Sequence, residues 1–258
     1  MNDLISEITR ILSGAGIENF IQEARWIAGE SPTAQTALER AKRRAAGEPL
    51  QYLLGTAPFR NLMLKVDPRV LIPRPETELL AQWLIDNAPE NASVLDLGCG
   101  SGAIAIATAT ERPDLDVTAV DISTDALTLA KENARVCKAD NITFVNSDIF
   151  SGLAGRKFDL IGANLPYVTE DEYLSLPGDV RNFEPKTALT APENGLFLIR
   201  KTISQMRSFL KPGGGAIFEL SPEQADITAD FAAENDFKSG IIYDLCGRKR
   251  FVTALLES

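Results

Sequence analysis

The feature that most constrains the fold of this chain is a regular alternation of short apolar segments with helical segments, which begins after Asn91. Short apolar runs bounded by turn residues predict strands, and segments with a 3.6-residue period predict helices. Strands and helices that alternate at this spacing form a doubly wound sheet with helices on both faces, so the sequence predicts an α/β fold. The predicted strands are 94–97, 116–120, 142–145, 158–163, 215–220, 240–243 and 251–255, and the predicted helices between them are 103–110, 124–136, 195–210 and 222–235.

The segment before this sheet has a different pattern. Apolar residues recur at helical spacing and predict three helices. Ser31-Pro32 predicts the start of the third of them, and Gly47 predicts its end. Polar and apolar residues then alternate around a possible turn at Arg60-Asn61, which predicts a short hairpin. We therefore expect three parts, which are a helical domain (1–50), a hairpin and linker (51–75), and a sheet domain (76–258).

The charge balance limits the partners of the chain. It has 36 acidic and 26 basic residues, a net charge of −10, whereas a protein that binds a phosphate backbone usually presents a basic face. No apolar run approaches the roughly 20 residues that span a bilayer, and the first residues do not resemble a signal peptide. We therefore expect a cytoplasmic protein that binds neither nucleic acid nor a membrane directly.

The residue types also limit the chemistry. The chain has no histidine, and its three cysteines show no paired spacing. These facts exclude a Ser-His-Asp triad and a histidine general base, and they argue against a disulfide framework or a zinc site. We expect no metal, and the chemistry must proceed without imidazole.

A glycine-rich turn follows the first predicted strand of the sheet. Glycines at such a turn allow the backbone to approach a ligand closely, and the spacing also fits a dinucleotide-binding turn. Asp96 separates the two possibilities, because a carboxylate would repel a pyrophosphate and attract the ammonium and sulfonium groups of S-adenosylmethionine. The predicted donor-binding residues at this turn are Asp96, Gly98, Cys99, Gly100, Ser101 and Gly102.

Two further acids end the second and third strands of the predicted sheet. Asp121 is placed to accept hydrogen bonds from both ribose hydroxyls, a role that does not discriminate between the two cofactors. Asp148 is placed to accept a hydrogen bond from the adenine amino group, and Ile149 offers an apolar face to the ring. Because the carboxyl ends of parallel strands share one edge of the sheet, we expect these residues to face one crevice.

The fourth strand ends in Asn164-Leu165-Pro166-Tyr167, the most informative tetrad of the sequence. A planar amide or aryl amine nitrogen is a poor nucleophile, and two hydrogen-bond acceptors aimed at its two N–H bonds would orient and activate it. The side-chain oxygen of Asn164 and the carbonyl of Leu165 supply two such acceptors. Pro166 restricts the conformation of Leu165, and Tyr167 is placed to cover the flat group. The tetrad therefore predicts N-methylation without a general base.

With these motifs the chain resembles the release factor glutamine methyltransferases over nearly its full length. The Arg-Pro-Glu-Thr-Glu run (74–78) is the specific part of the resemblance, whereas the glycine turn and the tetrad occur in other methyltransferases. The matching segments are Gly47-Glu48-Pro49-Leu50-Gln51-Tyr52 with Gly55, Leu71-Ile72-Pro73-Arg74-Pro75-Glu76-Thr77-Glu78, the glycine turn, Asn164-Leu165-Pro166-Tyr167, and Phe183-Glu184-Pro185-Lys186-Thr187-Ala188-Leu189.

The resemblance implies the class I S-adenosylmethionine-dependent fold, with a small N-terminal helical domain and a connecting β-hairpin. It implies methyl transfer to the side-chain amide nitrogen (N5) of the glutamine in the Gly-Gly-Gln loop of class 1 peptide chain release factors. The residues from Gly98 to Gly102, with Asp121, Asp148 and Ile149, would bind the donor. Residues 164–167 would hold the glutamine, with Asn164 also bordering the donor.

Three further expectations complete this interpretation. Phe59 and Arg74 would line the substrate entrance, the helical domain would dock the release factor, and the protein would act as a monomer. The sequence departs from the family pattern at Leu165, where a proline is usual, and at Ser221, where a glycine is common.

Three alternatives remain open from the sequence. The first is an N-methyltransferase acting on exocyclic amino groups of nucleic acid bases, which would use the same tetrad but should carry a basic face. The second is a nicotinamide-dependent oxidoreductase, which Asp96 disfavours. The third is a binding module that keeps the fold without catalysis.

Overall fold

A computed structural model describes residues 2–257. Met1, the first residue of the predicted helical domain, and Ser258, the last residue of the predicted sheet domain, lie outside the described residues. The first part of the chain forms α1 (Asn2–Gly14), α2 (Phe20–Gly29), α3 (Ala34–Ala45), α4 (Leu50–Leu54), and a hairpin of β1 (Thr56–Phe59) and β2 (Leu62–Lys65).

Helices α1 to α3 bury their apolar faces against one another, in a core that includes Ile8, Leu12 and Ile27. The predicted start of α3 was wrong by two residues. Its N-cap is Thr33, whose hydroxyl accepts a hydrogen bond from the Thr36 N–H, whereas the Ser31 hydroxyl accepts from the Arg40 side chain instead. The end of this helix before Gly47 is confirmed.

The predicted strands and helices after residue 91 all form. The rest of the chain contains α5 (Thr77–Asn87), β3 (Ser93–Leu97), α6 (Ala103–Glu111), β4 (Asp116–Asp121), α7 (Thr124–Cys137), β5 (Ile142–Asn146), β6 (Phe158–Ala163), α8 (Glu170–Ser175), α9 (Gly178–Phe183), α10 (Phe197–Met206), β7 (Leu210–Glu219), α11 (Ala225–Glu234), β8 (Lys238–Tyr243) and β9 (Lys249–Leu255).

Two details differ from the prediction. Strand β7 begins at Leu210 rather than at residue 215, because Leu210 pairs with Phe158. Gly215 pairs with Leu160, so the extra residues of the register shift lie in the glycine-rich stretch of β7. Helices α8 and α9 were not predicted, because each has only six residues and too little periodicity to detect. A capping box formed by Thr169 and Glu172 starts α8.

The seven strands of the main sheet lie in the order β5-β4-β3-β6-β7-β9-β8. The first five strands in this order run parallel to one another, and β9 pairs antiparallel with both β7 and β8. Successive strands run from β3 outward to β5, and the chain then returns to place β6 on the other side of β3. A crevice forms at the carboxyl ends of the strands at such a reversal, which is where ligands bind in sheets of this kind.

The hairpin and linker connect the helices to this crevice. Asn133 on α7 accepts a hydrogen bond from the Lys65 N–H (2.8 Å) and donates one to the Lys65 carbonyl (3.0 Å). The Tyr52 hydroxyl donates to the Val70 carbonyl at 2.6 Å. These contacts fix the path of the linker and bring Arg74 to the edge of the sheet. Within residues 2–257, no helix is long and apolar enough to cross a membrane.

Candidate active site

A cavity of about 400 Å³ opens at the carboxyl ends of β3, β4 and β6. Most of the predicted site residues line it, although they are spread over more than 90 positions of the chain. Those that line it are Arg74, Gly98, Cys99, Gly100, Ser101, Asp121, Asp148, Ile149, Asn164, Leu165 and Pro166. Asp96, Gly102, Tyr167 and Phe59 do not belong to its wall.

The glycine turn wraps around the end of β4. The N–H groups of Gly98 and Cys99 both donate to the Val120 carbonyl at 2.9 Å. Gly98 has φ of +73°, and a Cβ there would lie 3.0 Å from the Leu165 side chain, so a larger residue would press on the tetrad. Gly102 is different, because its Cβ would meet Ile106 at 2.9 Å inside the fold. Gly102 therefore allows close packing of α6 and does not face the cavity.

Asp96 lies beneath the glycine turn and is only 1% exposed. One carboxylate oxygen, Oδ2, accepts a hydrogen bond from the Ala105 N–H at 3.0 Å, while no group among residues 2–257 donates to Oδ1. Burial raises the pKa of Asp96 to about 7. An unpartnered buried carboxyl oxygen beside the turn fits a ligand with a cationic group, which would offset the cost of its burial.

Asp121 holds the other side of the turn. Its Oδ2 accepts from the Gly100 N–H and its Oδ1 from the Ser123 N–H, both at 2.9 Å. Burial raises the pKa of Asp121, and these two hydrogen bonds partly oppose the increase. Each carboxylate oxygen retains a lone pair for a ribose hydroxyl. Ile122, which follows it, lines the cavity and is 72% exposed.

Asp148 and Ile149 form the wall next to β5. The Asp148 carboxylate pairs with the Lys201 ammonium on α10 at 2.9 Å, a partner that the sequence did not indicate. Ile149 has φ of +52°, which is rare for a β-branched residue. The Ser147 hydroxyl donates to the Ile149 carbonyl at 2.8 Å and stabilises this turn, which directs the backbone of residues 148–149 along the cavity.

The tetrad begins directly after β6. The side-chain nitrogen Nδ2 of Asn164 donates to the Thr77 hydroxyl at 3.0 Å. No group in the described part of the chain donates a hydrogen bond to Asn164 Oδ1 or to the Leu165 carbonyl. Both acceptors therefore remain available beside the cavity. The Leu165 side chain is buried and packs near Gly98.

Tyr167 has a different place from the one predicted. Its side chain packs against the buried core and is not part of the cavity wall. Burial raises the pKa of Tyr167 to about 12, with a further increase from the nearby carboxyl of Glu219. Its backbone carbonyl accepts a hydrogen bond from the Gln224 side chain at 2.8 Å, which holds the end of the tetrad.

The two residues predicted at the substrate entrance lie in different parts of the structure. Arg74 lines the cavity, and its guanidinium donates to the buried Glu184 carboxylate at 2.6 Å. Phe59 is fully buried in the core with Leu64 and Leu80, so its predicted place at the entrance is wrong. The reason is that its strand position faces inward, where the hairpin packs on the helices of the sheet domain.

The residues at or next to the site that the sequence did not indicate include Thr77, Glu219, Ile122 and Lys201. Thr77 belongs to the motif that carries the resemblance, but its side chain had no assigned role. Glu219 had a detectable signal, because an acid ends an apolar strand there. It is 2% exposed, and burial raises its pKa to about 7. Lys201 had no signal, because only the packing of α10 brings it to Asp148.

The charged and polar groups at the cavity suit S-adenosylmethionine better than a dinucleotide. Asp96 places a carboxyl group beneath the glycine turn, where it would repel a pyrophosphate and attract a cationic amino acid group. The acceptors of Asn164 and Leu165 lie beside that turn. Together with the doubly wound sheet that ends in an antiparallel strand pair, these features define a class I S-adenosylmethionine-dependent methyltransferase.

Comparisons with known proteins agree with the assignment to the methyltransferases. Residues 89–256 match a family model described as a methyltransferase domain. A release factor glutamine methyltransferase of Salmonella typhimurium is 43% identical over 77% of this chain and 73% of its own length. One from Rhodopirellula baltica is 40% identical over 83% of this chain and 76% of its own length. The chain belongs to the release factor glutamine methyltransferase family.

Solved structures share the fold at lower identity. A methyltransferase from Pyrococcus furiosus matches with a TM-score of 0.58 at 16% identity, over 76% of this chain and 89% of that one. A ribosomal protein L11 methylase from Lactobacillus delbrueckii subsp. bulgaricus matches with a TM-score of 0.54 at 25% identity, over 76% of this chain and 85% of that one. The predicted fold class is confirmed, and the methyl donor is S-adenosylmethionine.

Proposed function

We propose that this enzyme methylates the side-chain amide nitrogen of the glutamine in the Gly-Gly-Gln loop of a class 1 peptide chain release factor. One observation carries the proposal: Asn164 Oδ1 and the Leu165 carbonyl are two unpartnered acceptors beside the donor cavity. A primary amide has two N–H donors on one planar nitrogen, which such a pair fits.

The two acceptors account for the chemistry. The bound donor supplies a methyl carbon on a sulfonium, and its sulfur keeps the electron pair of the broken C–S bond. Asn164 and Leu165 orient the amide nitrogen toward that carbon and stabilise the positive charge that develops on it. A new N–C bond forms, and one of the two N–H protons then leaves to water. No side chain is needed as a base of matched pKa, in agreement with the absence of histidine from the sequence.

We assign the donor-binding roles from the cavity wall. The carboxylate of Asp121 would accept hydrogen bonds from the ribose hydroxyls, and Ile149 with Ile122 would contact the adenine. Asp148 would accept from the adenine amino group while it keeps its ion pair with Lys201. The turn from Gly98 to Ser101 would contact the amino acid part of the donor, above the carboxyl of Asp96.

The substrate assignment rests on the relatives, which are named release factor glutamine methyltransferases. The Arg74 guanidinium, held by Glu184, would contact the loop that carries the glutamine, and helices α1 to α3 would dock the body of the release factor. Because release factors act in the cytoplasm and one chain carries every assigned site residue, we propose a cytoplasmic monomer. The net charge of −10 gives no support to nucleic acid as the substrate.

The test is a methyl-transfer assay with radiolabelled donor and three parallel acceptors. These are a purified class 1 release factor, the same factor with its loop glutamine changed to alanine, and total nucleic acid. Label on the unmodified factor alone is the expected result. Equal label on the alanine variant would contradict the choice of residue, and label on nucleic acid would replace the substrate with base amino groups.

A further inference from the structure

A buried carboxyl lies next to the tetrad, outside the cavity wall. Ala163 of β6 pairs with Phe218 of β7, so the next residues along the two chain segments, Asn164 after β6 and Glu219 at the end of β7, are neighbours. Thr77, the first residue of α5, lies next to both. Glu219 and Thr77 are 2% and 4% exposed, so water does not compete for their hydrogen bonds.

The hydrogen bond between Asn164 and Thr77 has a direction. Asn164 Nδ2 donates to Thr77 Oγ1 at 3.0 Å. The Thr77 hydroxyl also lowers the pKa of the neighbouring Glu219 carboxyl, which when ionised can only accept, so the single hydroxyl proton of Thr77 would point to Glu219. An asparagine amide that turns its NH₂ group toward Thr77 must turn its oxygen away from Thr77, and Asn164 lines the cavity.

We infer that Glu219 is a positioning residue, which acts through the Thr77 hydroxyl to hold the Asn164 amide with Oδ1 toward the acceptor nitrogen. The inference rests on the proposed amide-binding role of Asn164. Without the carboxylate, the Thr77 hydroxyl could donate to Asn164, and the amide could turn its NH₂ group toward the substrate. Two donors would then face each other, and the acceptor nitrogen would not be oriented.

The surroundings of Glu219 do not explain it as a stabilising residue. Its Oε2 has no hydrogen-bond partner among residues 2–257, and a buried carboxyl of this kind destabilises a fold. Arg250 and Arg74 favour its charged form, whereas burial and Glu76 disfavour it, and Tyr167 lies alongside. Burial raises the pKa of Glu219 to about 7, so the direction of the hydrogen bonds is expected to reverse at mildly acidic pH.

One test requires no acceptor substrate. The side-chain amide signals of ¹⁵N-labelled asparagine are followed by NMR from pH 5.5 to 8.5, and the Asn164 signal is identified by its absence in Asn164→Ala. We expect this signal to shift with a midpoint near the pKa of Glu219 and to stop shifting in Glu219→Gln and in Thr77→Val. A signal that does not titrate, or that titrates equally in Thr77→Val, would overturn the inference even if the proposed substrate is correct.

The kinetic test uses whichever acceptor the wild-type enzyme methylates. Thr77→Val removes the hydroxyl at nearly constant volume and should lower kcat by about 10-fold or more, with the donor Kd changed by less than about 2-fold. Thr77→Ser keeps the hydroxyl and should retain kcat within about 3-fold. The matched control is Thr228→Val, at a buried threonine of α11 outside the site, which should leave kcat unchanged.

Glu219→Gln should lower kcat and remove the decrease in kcat toward acidic pH. Equal losses in Thr77→Ser and Thr77→Val would indicate that only packing matters at this position, and the inference would fail. A wild-type enzyme that labels nucleic acid instead of a release factor would overturn the proposed substrate, while the comparison among the variants would still decide the role of Glu219.

Discussion

At the scale of single residues, the site is distinguished by buried carboxyl groups with incomplete partners. Asp96 and Glu219 each have one oxygen without a hydrogen bond from the described chain, and burial raises the pKa of each to about 7. Groups perturbed in this way cluster at functional sites, because a ligand or a positioned neighbour supplies the missing interaction. Here one lies beneath the donor turn and the other lies next to the acceptor-binding amide.

The side-chain amide of Asn164 gives the most direct prediction. Asn164→Ala removes one of the two acceptors for the substrate nitrogen but leaves the glycine turn and Asp121 in place. We expect kcat to fall by about 100-fold or more, which is the loss typical of a group that stabilises developing charge, with donor affinity changed only a few-fold. Methyl-transfer kinetics and calorimetric titration with the donor measure the two effects. Turnover near the wild-type level would show that the amide is bound elsewhere.

The raised pKa of Asp96 predicts how stability depends on pH. Between the unfolded value of 3.8 and the folded value of about 7, the folded state binds more protons than the unfolded state. Stability from this group is therefore complete below the unfolded pKa and is lost as pH rises through the folded pKa. Since one pKa unit corresponds to about 1.4 kcal/mol, the loss is on the order of 4 kcal/mol between about pH 4 and pH 8.

Asp96→Asn removes this titration. Urea unfolding of the donor-free protein at pH 5.5 and pH 8 should show a smaller loss of unfolding free energy in Asp96→Asn than in the wild type. Asp121 and Glu219 also have raised pKa values, so part of the loss should remain. The same change in both proteins would mean that Asp96 stays ionised in the folded state.

At the scale of elements, close backbone approaches position the loops of the site. A Cβ at Gly162 of β6 would lie 2.7 Å from Leu84, so the glycine lets α5 pack tightly and bring Thr77 to Asn164. The backbone just before α10 approaches the tetrad even more closely. A Cβ at Gly195 would lie 1.9 Å from the Tyr167 carbonyl, the same carbonyl that Gln224 holds.

Gly195→Ala tests whether this approach positions the tetrad. The variant should lose stability through both a positive φ and a collision with backbone, and it should lose turnover because residues 164–167 must move. The matched control is Gly155→Ala, which has nearly the same φ but open space around its Cβ. We expect the control to lose only about 1 kcal/mol of stability and to keep its turnover. Thermal unfolding and kcat distinguish the two, and equal behaviour would exclude a role for the contact.

At the scale of the whole molecule, helices α1 to α3 have their own apolar core and reach the sheet through the hairpin and linker. Arg44 on α3 pairs with the buried Glu23 and lies 4.0 Å from Asp179 of α9, so the helices also contact the segment that follows the tetrad. This arrangement supports the proposed division into docking and catalytic domains. It leaves Trp26 of α2 about half exposed, as an apolar side chain suited to a protein partner.

Trp26→Glu tests the docking role. We expect KM for the intact release factor to rise by about 5-fold or more, with kcat and donor affinity unchanged, because the side chain is not part of the cavity wall. Methylation of a short Gly-Gly-Gln peptide should be unaffected. Val136→Glu places the same charge on a comparably exposed residue of α7 and serves as the control. An equal rise in KM in the control would point to a general effect of charge.

The sequence by itself determined the class of fold, the order of the strands along the chain and eleven residues of the cavity wall. These features depend on local patterns, since apolar periodicity predicts the elements and the residues that end parallel strands must share an edge. Asp121, Asp148 and Asn164 were found in this way. The resemblance carried by residues 74–78 then narrowed the enzyme class to a family.

Only the tertiary structure decided which way each of these side chains faces and what lies behind it. Phe59, Gly102 and Tyr167 lie outside the cavity wall, because they pack against the core. Thr77 and Glu219 meet Asn164 across 87 and 55 positions of sequence, respectively, a contact that no local pattern encodes. Side-chain direction is set by contacts between distant segments, and those contacts exist only once the sheet and its helices have assembled.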